Sequence, residues 1–508
     1  MLSRRLVHTS SRRLNKFKLD PNYKFKCGIE IHTQLKTRYK LFSLSPSSFY
    51  SSPNSKISYF DVGLPGTQPK LNPEALYLAL KLAVALNSDV QLNSTFDRKH
   101  YFYPDQPLGY QITQHYHPIA KNGFVELKSE FDEISVPSKI INIEQIQIEQ
   151  DTGKTSYDKY DKTIKVDYNR SNVPLIELVT KPDFEDLKQV GAFVKNYQTL
   201  VKHLDICTGN LETGAIRVDV NVSVNGHPRV EIKNLGSNGE IQEALKYEYN
   251  RQVQLLKNQE DIIQETRGWT GNKTVTLRIK EDAVDYRYVP DSELPFINLS
   301  STISSDIRKS LPELPEQILK KLTSEPYSLE LKYAKFLVDN KDILTYYYHL
   351  IQKVNEKQQP TKLANNWLFH EYLGAFTKLN IEVDMTILAA SLLGDLIVKV
   401  GEKEISTTSA RLLLLQLLQT PEDRDKSIDE LIEQYDLGKP QDLSADELHD
   451  AVRDICSEIV DNNPDVVERI KKGQKNSIKF LVGLGMRETQ GKVDAKAFTE
   501  MFKELLKL

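Results

Sequence analysis

Glu30 and His32 stand two residues apart in CGIEIHTQL (27–35), with Ile29 and Ile31 in the intervening places. On a strand, that spacing puts the carboxylate and the imidazole on one face and the isoleucines on the other. Four further runs alternate in the same way. In IQIEQD (146–151), Gln147, Glu149 and Asp151 alternate with Ile146 and Ile148. In IRVDVNVSV (216–224), Arg217, Asp219, Asn221 and Ser223 alternate with apolar residues. VEIKN (230–234) adds Glu231 and Lys233, and VTLRIK (275–280) adds Arg278 and Lys280. A set that mixes carboxylate, imidazole, guanidinium and ammonium can bind a metal and an anionic substrate. A divalent cation that activates ATP takes oxygen ligands, tolerates an imidazole, and leaves positions to water and phosphate. Glu30, His32 and Glu149 are therefore candidate ligands. On spacing alone, a Glu-x-His pair is more often what a solvated strand edge carries. Acids sharing one face must be neutralised by protons or cations. A metal would do this, as would Arg217, Lys233, Arg278 and Lys280, and arginine can also hold phosphate in bidentate fashion.

Two loops add aromatic and charged residues. FDRKHYFYPDQPLGYQITQ (96–114) gathers Arg98, Lys99, Tyr101 and Tyr103 around a Pro-rich turn, and RIKEDAVDYRYVPDSELP (278–295) holds Asp285, Tyr286, Arg287, Tyr288 and Asp291. Aromatics beside cations suit stacking on a base or cradling an acceptor end. They also suit a well-packed polar loop.

The elements that position these residues follow from pattern. From about residue 24 to 300 the chain is strand-rich and broken by turns such as Leu64-Pro65-Gly66 and Asn225-Gly226. Helices are expected from Asn72-Pro73-Glu74 to about Leu86, from Asp183 onward, and over Glu240 to Leu256. Strands with one polar face imply an antiparallel sheet covered by helices on one side, an α+β fold. After about 304 the strand signal disappears. The expected division is a leader at 1–20, a strand-rich domain at 21–303, a helical domain at 304–403 and a helical tail at 404–508.

Composition excludes several classes. The 508 residues carry a formal net charge of −3 with 27% charged residues, so nucleic-acid contact must come from a local patch. Three cysteines far apart do not make a disulfide framework. The longest apolar stretch, Ile387 to Val398, is short and contains Asp395, so it reads as a buried helix and no membrane insertion is expected. Residues 1–20 hold six Arg and Lys residues and no acid before Asp20, the composition of a mitochondrial presequence. Gly153-Lys154-Thr155 lacks the upstream glycine of a P-loop. Gly483-Leu484-Gly485 is no dinucleotide fingerprint, and neither Cys207 nor Cys456 has a neighbouring base.

Several long segments resemble, in order, the signatures of the B subunits of glutamyl-tRNA(Gln) amidotransferases. They are CGIEIHTQL, DVGLPGTQPKLNPEAL, FDRKHYFYPDQPLGYQITQ, VDYNRSNVPLIELVTKPDF, VEIKNLGS and DYRYVPDSELP. ANNWLFHEYLG (364–374) and FLVGLGMRETQGKVD (480–494) extend the likeness over nearly everything after the leader. The resemblance implies a glutamine-synthetase-like cradle, an antiparallel sheet flanked by helices, followed by a helical domain and a tRNA-holding tail. It implies a carbon–nitrogen ligase of the mitochondrial matrix that uses ATP and Mg2+ to phosphorylate the γ-carboxylate of glutamate esterified to tRNA(Gln). Ammonia is supplied by a glutaminase of the amidase type (the A subunit), in company with a small third subunit, C-type or a fungal replacement. Glu30, His32 and Glu149 match positions that the family uses around its metal, and Glu212 matches another acid close by. The resemblance assigns Lys233 to catalysis, with Arg217, Asn234 and Arg278 near phosphate.

Two departures stand out. Relatives often carry two cysteine pairs for structural zinc, whereas the equivalent positions here are Ser43, Ser45, Ser58 and Asp61, so no zinc is expected and the 42–61 loop must rely on packing or on a partner. An acidic pair of the third strand is Glu149-Gln150 here, and Gln150 falls on the apolar phase, where loss of charge is tolerable. In the tail, Lys472, Lys475 and Lys479 share one helix face, with Lys471, Arg487, Lys492 and Lys496 nearby. That face is either solvated or a contact to tRNA phosphates. The competing readings are a non-catalytic tRNA-binding scaffold of the same complex and a free-standing ligase for a small amino acid. The basic tail and the long helical domain count against the ligase.

Overall fold

The computed structural model describes residues 17–48, 50–158, 160–279, 286–438, 445–471, 477–489 and 493–506. The chain divides into two compact units, Met1–Gln317 and Ile318–Leu508. In chain order, the strands of the first unit are β1 (Phe25–Gln34), β2 (Asp89–Val90), β3 (Asn93–Ser94), β4 (Asp97–His100) and β5 (Tyr110–Thr113). Next come β6 (Ala120–Lys128), β7 (Ser138–Gln150), β8 (Lys154–Asp158), β9 (Thr163–Asp167), β10 (Pro174–Thr180) and β11 (Ile216–Val224). The last are β12 (Val230–Leu235), β13 (Glu265–Trp269), β14 (Thr274–Ile279), β15 (Val289–Pro290) and β16 (Ile297–Asn298).

Nine of these form one sheet in the order β14-β13-β12-β11-β1-β10-β7-β6-β2. Every pairing is antiparallel except β12 with β13. Period-2 alternation works as expected. Ile29 and Ile31 of β1, Ile146 and Ile148 of β7, and Val218 and Val220 of β11 are buried in one hydrophobic core. Helices α1 (Pro73–Ala85), α2 (Leu187–His203) and α3 (Asn238–Lys257) close that side. Each starts where a side chain caps a free N–H: Asn72 accepts from Glu74, Asp186 from Gln189, and Ser237 from Glu240. The expected start near Asp183 is thus three residues early. A small sheet, β15-β4-β5, carries the aromatic loops.

Leader and core meet earlier than expected. Residues 1–16 lie outside the described set, but Phe17 and Leu19 pack against the core and the Asp20 amide donates to Tyr249 Oη at 2.9 Å. Residues 17–20 therefore belong to the fold.

The second unit is helical. One hydrophobic cluster runs from Ile318 to Leu431 and another from Val452 to Leu506. The expected border at 403/404 falls inside the first cluster, because the helices Ala390–Gly401 and Thr407–Gln419 share its core. Ile387 to Val398 does contribute to a buried helix. Among the described residues, no helix is long and apolar enough to cross a membrane. Lys472, Lys475 and Lys492 lie outside the described residues, as do Lys280 and Asp285.

Candidate active site

The register of the nine-stranded sheet gathers the alternating polar residues. Glu30 of β1 lies opposite Asp219 of β11, and His32 lies opposite Arg217 on that side and Glu177 of β10 on the other. Glu177 in turn pairs with Gln147 of β7. His32 Nδ1 is 2.9 Å from Glu149 Oε1, and its Nε2 is 4.0 Å from Asp219 Oδ2. Lys233 of β12 donates to Asp219 Oδ2 at 2.6 Å and lies 3.0 Å from Glu231 Oε1. Asn221 donates to Glu30 at 3.1 Å, and Gln147 donates to Glu177.

Two groups of potential ligands result, each with donor atoms within 4.8 Å of one another: His32, Glu149 and Glu177, and Glu30, Asp219 and Glu231. The expected trio of Glu30, His32 and Glu149 therefore splits. His32 and Glu149 touch directly, while Glu30 belongs to the neighbouring group on the same face. Five carboxylates crowd this surface against His32, Lys233 and Lys99, the last placed by β4 with its ammonium 4.4 Å from the Tyr286 ring. Such a donor set, hard oxygens with one imidazole and an excess of negative charge, fits divalent cations.

The electrostatics carry the same imprint. Burial would lower the His32 pKa, but Glu177, Glu149 and Asp219 overcome it and push the imidazole up to about 9. Burial and the neighbouring Glu149 push Glu177 up to about 7. Burial, then Glu231 and Asp219, raise Glu30. Burial opposes charge on Glu149 as well, yet the hydrogen bond from His32 and the cations around it hold it below the ordinary range. Lys233 stays above its own range despite burial, because Asp219 and Glu231 embrace it.

A family model described as the GatB/GatE catalytic domain matches residues 25–305, the whole of this sheet and its loops. The chain belongs to the family of B subunits of glutamyl-tRNA(Gln) amidotransferase. A second model, described as a GatB domain, matches residues 349–506. A protein from Scheffersomyces stipitis, named as the mitochondrial B subunit of glutamyl-tRNA(Gln) amidotransferase, is 77% identical over the full length of both chains. Its namesake from Debaryomyces hansenii is 63% identical over 99% of this chain and 98% of its own. That from Clavispora lusitaniae is 56% identical over 98% of this chain and 94% of its own.

Other expected site residues of this B-subunit chain fall as follows. Arg217 donates to Asp151 Oδ1 at 3.1 Å, and Asp151 also receives Gln34 at 3.0 Å, so the guanidinium is fixed at the rim of the His32 group. Asn234 is exposed in the left-handed region (φ 66°), where the register slips between β11 and β12. Such a bulge re-aims side chains, and asparagine tolerates its backbone. Its amide nitrogen lies 3.3 Å from where a Cβ on Gly268 would sit, which makes a glycine there useful. Arg278 lies opposite Thr266, two strands out from Lys233; the Tyr286 hydroxyl, its main partner, strengthens its charge. Glu212 is a correction. It sits exposed in the turn before β11 and belongs to neither ligand group, since the alternating face begins only at Arg217.

Asp219, Glu231 and Glu177 lie in these two groups of potential ligands, and Glu212 does not. The first two were visible in the alternation. Glu177 had a subtler signal, the one charged residue in the apolar strand PLIELVT. Tyr288 was also underrated: it stacks on His115 at 3.9 Å, and burial together with the nearby Glu177 and Glu149 raises its pKa.

The 42–61 loop, where the resemblance places zinc in relatives, is held by a buried ion pair. Lys40 Nζ is 2.9 Å from Asp61 Oδ2, with both side chains fully buried. Ser43 Oγ and Asn172 Nδ2 donate to Asp61 Oδ1 at 3.0 Å each, and the Ser58 amide donates to Oδ2 at 2.8 Å. Ser45 donates its own amide to Ser43 Oγ at 3.4 Å. Gln150 is buried on the apolar phase, and its carbonyl accepts from Gln111 at 2.8 Å.

Proposed function

We propose that this chain is the ATP-using member of a mitochondrial amidotransferase that converts glutamate esterified to tRNA(Gln) into glutamine. What supports it most is the pair of adjacent acid groups on one sheet face, flanked by Lys233, Arg217 and Lys99. His32, Glu149 and Glu177 would hold one Mg2+, and Glu30, Asp219 and Glu231 a second. Magnesium, when bound, offsets charge on the ATP phosphates and on the phosphoryl group in transfer.

A carboxylate does not yield its oxygen to ammonia. ATP therefore phosphorylates the glutamate γ-carboxylate: a carboxylate oxygen forms the new bond to phosphorus, the terminal phosphoanhydride bond breaks, and ADP leaves. The ammonia lone pair then attacks the acyl carbon, phosphate departs with the bonding pair, and the proton that the nitrogen sheds goes to that phosphate. Lys233, held upright by Asp219 and Glu231, meets the phosphate charge together with Arg217, Asn234 and Arg278. Tyr286, Tyr288 and His115 supply flat surfaces for the acceptor end.

In this reading the sheet domain is a glutamine-synthetase-like cradle, and the glutaminase partner delivers ammonia in company with a small third protein. The exposed Lys479, Arg487 and Lys496 touch tRNA phosphates. A matrix-targeting leader ends before Phe17, and the Lys40–Asp61 pair takes the role of zinc. The deciding assay is ATP hydrolysis dependent on Glu-tRNA(Gln) in the reconstituted complex. Glu30→Ala or His32→Ala should lower turnover by about 10²–10³-fold with tRNA binding nearly intact. Unchanged turnover in both variants would refute the site.

A further inference from the structure

β13 joins the large sheet parallel to β12, and its register sets Thr266 opposite Glu231. Across that pair, Thr266 Oγ1 donates to Glu231 Oε2 at 2.7 Å. Alternation sends the neighbouring Glu265 and Arg267 to the opposite face. There Arg267 Nη1 donates to Glu265 Oε1 at 2.6 Å and its Nε to Thr274 Oγ1 at 2.9 Å. Thr274 Oγ1 in turn donates at 3.0 Å to Glu248 of α3, a fully buried carboxylate. β13 is thus anchored from behind by groups other than the Thr266 hydroxyl, which is left to face the acids.

The carboxylates of the Glu30 group are each held by a donor from outside the group. Glu30 accepts from Asn221 at 3.1 Å and Asp219 from Lys233 at 2.6 Å. Glu231 has Lys233 3.0 Å from Oε1 and Thr266 on Oε2. These acids lie close enough to repel one another. A long side chain such as Glu231 has the torsional freedom to turn away, unless something outside the group holds it. A carboxylate oxygen that accepts one hydrogen bond keeps a lone pair for a cation. The Thr266 hydroxyl therefore orients Glu231 without closing it. Hydrogen bonds of this outer kind set how well ligands meet a metal. Their importance depends on the ion. Magnesium requires a near-ideal octahedron at short distances, whereas calcium accepts more oxygens in looser geometry.

We propose that Thr266 is a positioning residue for the reaction: by fixing Glu231 it sets the affinity of the Glu30 group for a divalent cation and favours magnesium over calcium. This rests on the reading of that group as the second ion site. It also gives the β13–β14 flank of the sheet a part in the chemistry.

The test is manganese binding to the full chain at fixed ATP, followed by electron paramagnetic resonance, with Mg2+ or Ca2+ as competitor. Wild type is compared with Thr266→Val and Thr266→Ser. Valine keeps the β-branched shape that suits a strand and loses only the hydroxyl, while serine keeps the hydroxyl. Thr266→Val should weaken the second manganese ion and its displacement by Mg2+ by about 10-fold or more, and displacement by Ca2+ by less. The first ion should bind as in wild type, and Thr266→Ser should restore the second. Melting temperatures of the chelator-treated proteins should agree. Wild-type affinity for the second ion in Thr266→Val overturns the proposal. So does an equal loss for Mg2+ and Ca2+, or a serine variant no better than valine. A wild-type chain that binds one ion alone overturns the two-ion reading and this proposal together. Two ions indifferent to Thr266 overturn the proposal and leave that reading standing.

Discussion

At Asp61 one buried carboxylate meets one ammonium and three hydrogen-bond dipoles; at His32 and Glu30 five carboxylates meet one imidazole and two lysines. Both clusters sit in the same unit, and both are built from groups costly to bury. The difference is closure. The Asp61 carboxylate has its lone pairs filled by the chain itself, so it leaves nothing to bind and serves to hold the loop. The sheet face leaves negative charge over, and its pKa shifts record the strain. A compensated cluster is architecture; an uncompensated one calls for a ligand.

The contrast breaks most visibly at the closed cluster. Asp61→Ala or Lys40→Met leaves its partner charged and buried, and should cost about 3–5 kcal/mol of unfolding free energy by urea titration. The double variant Lys40→Met/Asp61→Leu should lose less than either single change, since no orphan charge remains. At the open cluster the signs reverse. Glu177→Gln removes one of the repelling acids, so the metal-free chain should become more stable in the same titration. Catalysis should nevertheless fall by about 10²–10³-fold in the ATP assay.

Proton binding sharpens the contrast further. His32 and Glu177 both have folded pKa values above their ordinary ones, about 9 and about 7. Each binds its proton more tightly when folded, so the stability each adds is complete below its unfolded pKa and lost as pH rises through the folded value. Chelator-treated protein should therefore lose stability progressively from about pH 4.5 to about pH 9. Magnesium should flatten that slope, because the ion replaces the protons. A melting series with and without Mg2+ reads this directly. The smallest effect belongs to zinc: a zinc-selective chelator should leave the melting temperature unmoved, and elemental analysis of the purified chain should find no stoichiometric zinc.

Much of the sheet was legible because alternation is a local signal. Ile29, Glu30, Ile31 and His32 declare their faces without knowledge of any neighbour, and so do Val218 to Val222. A helix start was readable where Asn72 precedes its helix, since capping is also local. What remained hidden was register. That His32 faces Glu177, and that Glu30 joins Asp219 and Glu231 instead of His32's group, depends on pairings between strands far apart in the chain. Glu212 came from the resemblance alone, and it lies in the turn before β11, outside the alternating face. The Lys40–Asp61 pair shows nothing in the sequence but four missing thiols, and the border at 403/404 ignored helices that pack across it.

Manganese titration followed by electron paramagnetic resonance, in the presence of ATP, tests the open cluster most directly. Wild type should bind two ions per chain, His32→Ala or Glu149→Gln one, and Asp219→Asn or Glu231→Gln one, the other. Equal stoichiometry in all five proteins would contradict the two-ion site.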